Sequence, residues 1–240
     1  WKVAPALAAG NTVVLKPAEY TSLSALYFAK MSHEAGLPPG VFNVVTGKGE
    51  TGRTLVNHLD IDKVAFTGST SVGREIRKAT AGSGKALTLE LGGKSPVIIG
   101  RSAKLDLAGT RLTFGKLLNG GQLCLSPDYV LVPHELEEQL VARVVHEAQS
   151  MYPNITENAD YAGVINERHF ARLQNYIDDA VAKGAKLTIV GADKTRAAEN
   201  NRRMPLHILQ NVTEDMQVMH EEIFGPILPV MTYTDITEVP

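Results

Sequence analysis

Hydrophobic residues in the first part of the chain form two kinds of segment. Short β-branched or apolar runs predict strands at residues 11–15, 41–45 and 63–66. Segments in which apolar residues recur with the helical period predict helices at residues 23–35, 52–58 and 72–80. Strands that alternate with helices are typical of crossover units, whose neighbouring strands run parallel. The pattern therefore predicts an α/β fold with a parallel sheet.

The same alternation begins again after the glycine pair at residues 92 and 93. Apolar runs predict strands at residues 95–99, 129–132, 186–190 and 223–233. Helical periodicity predicts helices at residues 105–118, 136–151 and 170–183. Residues 191–203 have no apolar period and are predicted to form a solvated loop. We therefore expect two α/β domains, at residues 1–91 and 92–240.

Composition narrows the class of protein. The 240 residues are 44% hydrophobic and 21% charged with a net charge of −2, which is typical of a globular protein. This charge gives no argument for a nucleic-acid or membrane partner, and no apolar run reaches the roughly 18 residues of a spanning helix. The single cysteine excludes an internal disulfide. We expect a cytoplasmic protein that binds a small molecule.

Two glycine-containing turns follow predicted strands and precede predicted helices. The turn at Gly47–Gly52 has the context of a dinucleotide site, in which glycines let the backbone approach a phosphate. The acidic residue that a standard fingerprint places about 20 residues later is absent, so a turn without a ligand stays an alternative. The turn at Phe66–Gly73 offers hydroxyls and helix amides to a phosphate, but Ser69 is also an ordinary N-cap residue. Together the two turns favour a nucleotide site.

Cys124 and Glu90 are candidates for catalysis. Cys124 lies on a glycine-loosened connection where a thiol can meet a ligand, although most lone cysteines are inert core residues. Glu90 ends an apolar run. A buried carboxylate there would be a stronger general base, and a solvent-facing glutamate on an alternating strand is the alternative. The sequence shows no cluster of metal ligands, so we expect no metal site.

Three motifs occur in the order and spacing of one family. They are Leu89-Glu90-Leu-Gly92-Gly93-Lys94-Ser-Pro96, Gly121-Gln122-Leu-Cys124 and Glu221-Glu222-Ile-Phe224-Gly225-Pro226. Residues 1–11, 15–19 and 66–70 match in the same order, so the similarity covers essentially the whole chain. The sequence resembles the NAD(P)-dependent aldehyde dehydrogenase superfamily. The resemblance implies part of a Rossmann-variant cofactor domain with a parallel sheet at residues 1–91, and part of an α/β catalytic domain at residues 92–240.

The resemblance also implies catalytic roles. Cys124 is the expected nucleophile, which attacks the aldehyde carbonyl to form a thiohemiacetal and, after hydride transfer, a thioester. Glu90 is expected to activate the water that hydrolyses the thioester. Lys2 is expected to support the active-site region.

The implied cofactor is NAD. The positions that match the family's cofactor site are Lys16, Glu19, Gly49, Phe66, Gly68, Ser69, Glu222 and Phe224. In the resemblance, Glu222 binds the nicotinamide ribose with Phe224 beside it, and Ser69 binds the pyrophosphate. Lys16 and Glu19 hold the adenosine ribose. A carboxylate at Glu19 accepts hydrogen bonds from both ribose hydroxyls but repels a 2′-phosphate, so NAD is favoured and NADP is the alternative.

The chain also departs from the family pattern. Both ends resemble mid-domain sequence, and an asparagine that donates to the oxyanion in the family precedes the position of Trp1, so we interpret the chain as a fragment of a homodimeric or homotetrameric protein. Residues 1–97 resemble the betaine-aldehyde and phenylacetaldehyde type. Residues 115–129 and 165–169 resemble the coniferyl and fatty aldehyde branch. Substrate identity is therefore open, and a chimeric origin is a hypothesis.

Two other functions stay as alternatives. One is a non-catalytic NAD-binding or structural protein with the same fold. The other is an acylating aldehyde dehydrogenase, which passes the thioester to coenzyme A or phosphate; Glu90 disfavours it, because a positioned base serves hydrolysis.

Overall fold

The structure is a computed structural model that describes residues 1–191 and 202–239. It divides into two compact units, Trp1–Leu91 and Gly92–Pro240. Most of the loop predicted at residues 191–203 lies outside the described residues. No helix among the described residues is long and apolar enough to cross a membrane.

The first unit alternates short strands with helices. Its elements are α1 (Val3–Ala8), β1 (Val13–Leu15), α2 (Ser22–Glu34), β2 (Phe42–Val44), α3 (Gly49–Asn57), β3 (Lys63–Thr67), α4 (Thr70–Thr80) and β4 (Ala86–Glu90). The predicted strands and helices are present. Helix α3 begins three residues earlier than predicted, and α1 was not predicted.

The strands of the first unit form two parallel pairs. β1 pairs with β2, and β3 pairs with β4 with Thr67 opposite Glu90. The parallel direction agrees with the prediction, but the described strands form two separate two-stranded sheets instead of one continuous sheet. The glycine-containing turns follow the carboxyl ends of β2 and β3, and Glu90 lies at the carboxyl end of β4.

The second unit has longer elements around one sheet. They are β5 (Pro96–Ile98), α5 (Leu105–Leu117), β6 (Tyr129–Pro133), α6 (Glu137–Met151), α7 (Glu167–Ala182), β7 (Lys186–Val190), β8 (Leu206–Gln210) and β9 (Ile227–Tyr233). The strand order is β5-β6-β9-β8-β7. β7 runs antiparallel to β8, and the other described pairs are parallel. The sheet is therefore mixed, with an antiparallel strand at one edge.

The core of the second unit forms two clusters of buried side chains. One cluster includes Leu112, Leu140, Val144 and Ile208, and the other includes Leu173, Ile177, Leu209 and Ile227. Residues of β8 contribute to both clusters, because a central strand packs on both of its faces. All five residues of β8 are buried, so the strand shows no alternation of polar and apolar residues and was not predicted.

Candidate active site

The first unit places several residues that the sequence analysis singles out at the carboxyl ends of its strands. Lys16 directly follows β1, Gly47 lies in the turn after β2, Gly68 follows β3, and Glu90 is the last residue of β4. In open α/β sheets, ligands bind outside the carboxyl ends of parallel strands. The location of these residues is thus the one that a nucleotide site requires.

Lys16 is bound to the turn between β2 and α3. Its Nζ donates hydrogen bonds to the Gly47 carbonyl at 3.0 Å and the Pro17 carbonyl at 2.7 Å. A Cβ atom added at Gly52 would lie 3.6 Å from the Lys16 side chain, so the lysine stem lies along α3. Glu19 is exposed in the turn after Pro17.

The turn at Gly47–Gly52 requires glycine at its first position. Gly47 has φ +154, and a Cβ atom there would overlap the side chain of Thr51. Gly49 begins α3, and open space lies around the position of its missing Cβ. The first turn of α3 therefore presents backbone that a phosphate can approach, because helix N-terminal amides lack intrahelical partners.

The turn at Gly68 is shaped by an aromatic ring and a capped helix. The Phe66 ring covers Gly68, since a Cβ atom there would lie 2.5 Å from Phe66 Cζ. Ser69 is the N-cap of α4, and its Oγ accepts a hydrogen bond from the Val72 amide at 3.4 Å. The capping interpretation of Ser69 is therefore confirmed, and its role at a pyrophosphate stays a prediction.

Glu90 is joined to the Gly68 turn through its backbone. The Gly68 N–H donates to the Glu90 carbonyl at 3.1 Å, while the Glu90 side chain is exposed. Of the two sequence interpretations, the buried carboxylate is wrong: Glu90 ends β4 with its side chain exposed, whereas the three residues before it are half-buried. Lys2 immediately precedes α1 and is half-buried, and its carbonyl accepts a hydrogen bond from Ala6 at 3.3 Å.

In the second unit, Cys124 lies on a loop between α5 and β6, here called the cysteine loop (residues 118–127). Its thiol side chain is exposed, which excludes the inert core cysteine that was the alternative. The base of the loop is closed by two hydrogen bonds, from Lys116 Nζ to the Pro127 carbonyl at 2.8 Å and from Ser126 Oγ to the Gly115 carbonyl at 3.2 Å. The loop thus presents a thiol from a fixed base.

Gln122 holds the tip of the cysteine loop. Its Nε2 donates to the Gly163 carbonyl at 3.1 Å, and its Oε1 accepts from the Ile165 amide at 2.9 Å. These two bonds resemble those between paired strands and anchor the loop two residues before Cys124. Gln122 belongs to one of the sequence motifs, but its anchoring role could not be predicted, because its partners are about forty residues away along the chain.

Glu222 and Phe224 lie on a second loop before β9, here called the glutamate loop (residues 218–226). Glu222 is half-buried; burial and the nearby negative charge of Asp128 raise the pKa of its carboxyl, and a hydrogen bond from the Gly93 backbone partly offsets this. Phe224 has φ +49, a conformation that non-glycine residues rarely adopt. Such backbone strain is maintained only where the surrounding structure holds it.

The two loops of the second unit contact each other through backbone. Gly121 has φ +73, and a Cβ atom there would lie 2.5 Å from the Gly225 carbonyl oxygen. Only glycine permits this approach. The structure therefore places Cys124 and the pair Glu222 and Phe224 on adjoining loops of one unit. The described residues contain no group of three or more possible metal ligands.

Comparison with known proteins identifies the family. The aldehyde dehydrogenase family matches residues 1–239. The chain belongs to this family. It is 42% identical over 95% of its length to a protein named "probable coniferyl aldehyde dehydrogenase" from Pseudomonas aeruginosa, and 41% identical over 100% of its length to human retinal dehydrogenase 2. In each case it spans 46% of the relative.

Solved aldehyde dehydrogenases share the fold. A crystal structure of a cysteine-to-alanine mutant of aldehyde dehydrogenase C from Pseudomonas syringae, in complex with NAD⁺ and octanal, matches with a TM-score of 0.90 and 37% identity. The match covers 99% of this chain and 50% of that one. The predicted family and fold class are thereby confirmed, and the chain spans about half the length of the relatives that it matches.

Proposed function

We propose that this chain provides the catalytic cysteine and much of the cofactor site of an aldehyde dehydrogenase that oxidises an aldehyde to a carboxylic acid with NAD. One observation carries the proposal. The exposed thiol of Cys124 lies on a loop that is closed at its base, anchored at its tip, and packed against the loop of Glu222 and Phe224. A nucleophile needs such a fixed and accessible position.

The residues of the first unit fit a dinucleotide. The exposed turn at Gly68 and Ser69 and the first amides of α4 suit the pyrophosphate, and the exposed carboxylate of Glu19 suits ribose hydroxyls. When bound, NAD supplies the hydride acceptor of the reaction. Glu19 supports NAD as the cofactor over NADP, because a second negative charge beside it would be repelled.

The chemistry of the chain's own residues then follows. The Cys124 thiolate adds to the aldehyde carbonyl carbon and forms a C–S bond, and the oxyanion is held by the backbone N–H of Cys124. Loss of hydride from that carbon leaves a thioester on Cys124. Glu90 takes a proton from the water that attacks the thioester, and the carboxylic acid leaves as the thiolate is restored.

The substrate is proposed only as a small aldehyde. Relatives named for coniferyl aldehyde and for retinal have nearly equal identity to this chain, so identity does not select between them. We further propose a cytosolic enzyme that forms a homodimer or homotetramer without a nucleic-acid or membrane partner. Cell fractionation and light scattering on the purified protein test these two points.

The test of the catalytic proposal is NADH formation with a panel of aliphatic and aromatic aldehydes. It is run on this chain and on a version extended at both ends to the length of its relatives. Cys124→Ala is expected to abolish turnover and leave NAD binding unchanged, whereas Ser102→Ala, at an exposed turn, is the matched control. Activity that survives Cys124→Ala would contradict the proposal.

Glu90→Gln tests the hydrolytic step. It is expected to give a normal first burst of NADH and a steady-state rate about 10²- to 10⁴-fold lower, the usual contribution of a general base. Added coenzyme A or phosphate distinguishes the acylating alternative, since either would then restore turnover without Glu90. A folded, NAD-binding extended protein that is inactive with every aldehyde would favour the non-catalytic alternative.

A further inference from the structure

Charged side chains of the second unit hold the backbone of the glutamate loop. Lys94 Nζ donates to the Val218 carbonyl at 2.9 Å and the Glu221 carbonyl at 3.2 Å. The same ammonium contacts Asp128 Oδ2 at 2.5 Å, and Asp128 Oδ1 accepts the Ile223 amide at 2.9 Å. Each carboxylate oxygen of Asp128 therefore has its own partner, one on Lys94 and one on the loop.

Arg172 completes this arrangement from α7. Its guanidinium donates to the Ile223 carbonyl at 2.8 Å and to the Glu222 carbonyl at 3.4 Å. Ile223 is thus held on both its amide and its carbonyl, by charges from two different parts of the unit. Ile223 is the residue between Glu222 and Phe224, so fixing its peptide groups fixes where those two side chains begin.

Stability alone does not explain the ion pair between Lys94 and Asp128. The Asp128 side chain is only 5% exposed and that of Lys94 18% exposed, and burying two charges costs desolvation that a well-packed apolar pair avoids. Charge-assisted hydrogen bonds, however, are short and directional. They suit a loop that carries a strained residue, Phe224 at φ +49, and that must keep one geometry.

We propose that Asp128, oriented by Lys94, is a positioning residue that sets the location of Glu222 and Phe224 for cofactor binding. The inference rests on the proposed function, in which Glu222 binds the nicotinamide ribose. The resemblance to the aldehyde dehydrogenase family assigns no role to Lys94 or Asp128. Asp128 acts through the Ile223 amide and does not touch the cofactor.

The principal variant is Asp128→Asn. An amide has only one oxygen, so it satisfies either Lys94 or the Ile223 amide but not both. We expect the KM for NAD to rise about tenfold and kcat to change less than threefold, which is the signature of lost binding without lost chemistry. Asp215→Asn, an exposed carboxylate of the same unit, is the matched control and leaves both constants unchanged.

A double-mutant cycle separates positioning from general structure. If Asp128 acts through Glu222, then Asp128→Asn adds less than a twofold change in the KM for NAD once Glu222→Gln is present. Independent effects would multiply instead, and that result would overturn the proposal. An unchanged KM in a folded Asp128→Asn protein would also overturn it.

Amide hydrogen exchange of this chain provides a readout that needs no activity. The Ile223 amide is expected to exchange at least tenfold faster in Asp128→Asn, relative to the amides of β9, and to be unchanged in Asp215→Asn. If the extended wild-type protein oxidises no aldehyde, the proposed function fails, while Ile223 exchange still reports whether Asp128 holds the loop. Unchanged Ile223 exchange overturns the inference.

Lys94→Gln covers the case in which Asp128→Asn does not fold. It leaves Asp128 in place and removes the ammonium that orients it, so the same rise in the KM for NAD is expected. If neither variant folds, as judged by circular dichroism, the pair is a stability element and the positioning role is rejected.

Discussion

The two units bury their apolar side chains to very different extents. In the first unit, all of whose residues the structure describes, Val56 and Ile76 are the only buried hydrophobic residues. Helix α2 buries none, and its Leu23 is 82% exposed. In the second unit, two clusters of buried residues surround the strands, with Leu206 fully buried. The same alternation of strands and helices thus produces two very different cores.

Within this chain, which spans about half the length of its relatives, the difference in burial follows the number of strands that pair. Strands of the first unit pair only two by two, so helices such as α2 have little sheet to cover. The five paired strands of the second unit give both faces of the sheet a partner. We therefore expect the second unit to supply most of the stability of this chain. We also expect its packed core to hold the loops around Cys124 in place.

The largest expected effect is from truncation in the second core. Leu206→Ala should lower the free energy of unfolding by about 2–5 kcal/mol, because it removes buried methyl groups and leaves a cavity. Leu23→Ala, the matched control in the first unit, should change it by less than about 0.5 kcal/mol. Urea unfolding followed by circular dichroism measures both. Similar losses in the two variants would show that the contrast between the units is false.

The second unit differs from the first in a further way: it contains a buried lysine, which makes the free energy of unfolding depend on pH. Burial lowers the pKa of Lys116 from 10.5 to about 8; the charges of Asp128 and Glu222 oppose the shift and that of Lys94 adds to it. Below pH 8 Lys116 is charged in both the folded and unfolded states, and its buried charge is a destabilising contribution. Between about pH 8 and 10.5 the unfolded state binds more protons, so the Lys116 contribution makes stability rise with pH.

Lys116→Met should abolish that rise. The contribution is on the order of 3 kcal/mol across the interval, since each pKa unit corresponds to about 1.4 kcal/mol. Lys30→Met, at a lysine on the surface of α2, is the control and should leave the pH dependence of the unfolding free energy as it is. A Lys116→Met protein with the wild-type dependence between pH 8 and 10.5 would contradict the assignment.

A smaller effect is expected from glycine replacement at the contact between the two loops. Gly121→Ala adds a Cβ atom 2.5 Å from the Gly225 carbonyl oxygen at a residue with φ +73, and should cost about 1–3 kcal/mol. Gly49→Ala in the first unit meets open space at the start of α3 and should stabilise by about 0.4–1 kcal/mol. Thermal unfolding of the two variants tests the opposite signs, and a shift of the same sign in both would refute the comparison.

Much of the fold could be predicted from the sequence, because most elements have a local signal. Helices α2 and α5 and strands β3 and β7 lie close to their predicted bounds. Strand β8 was missed because all five of its residues are buried and the alternation that marks a strand is lost. The antiparallel direction of β7 was not predicted either, since direction is set by the neighbour with which a strand pairs.

The sequence alone determined the family and the chemically distinctive residues. The order and spacing of the sequence motifs identify these residues, which are Cys124, Glu90, Glu222 and Phe224. Only the tertiary structure decided that Glu90 is exposed and that the cysteine loop meets the glutamate loop at Gly121. It also decided that Lys94 and Asp128 hold that glutamate loop across about 95 to 127 residues of chain. The physical reason is that burial and hydrogen bonding depend on which distant segments of the chain come into contact. A local pattern of polar and apolar residues does not specify those contacts.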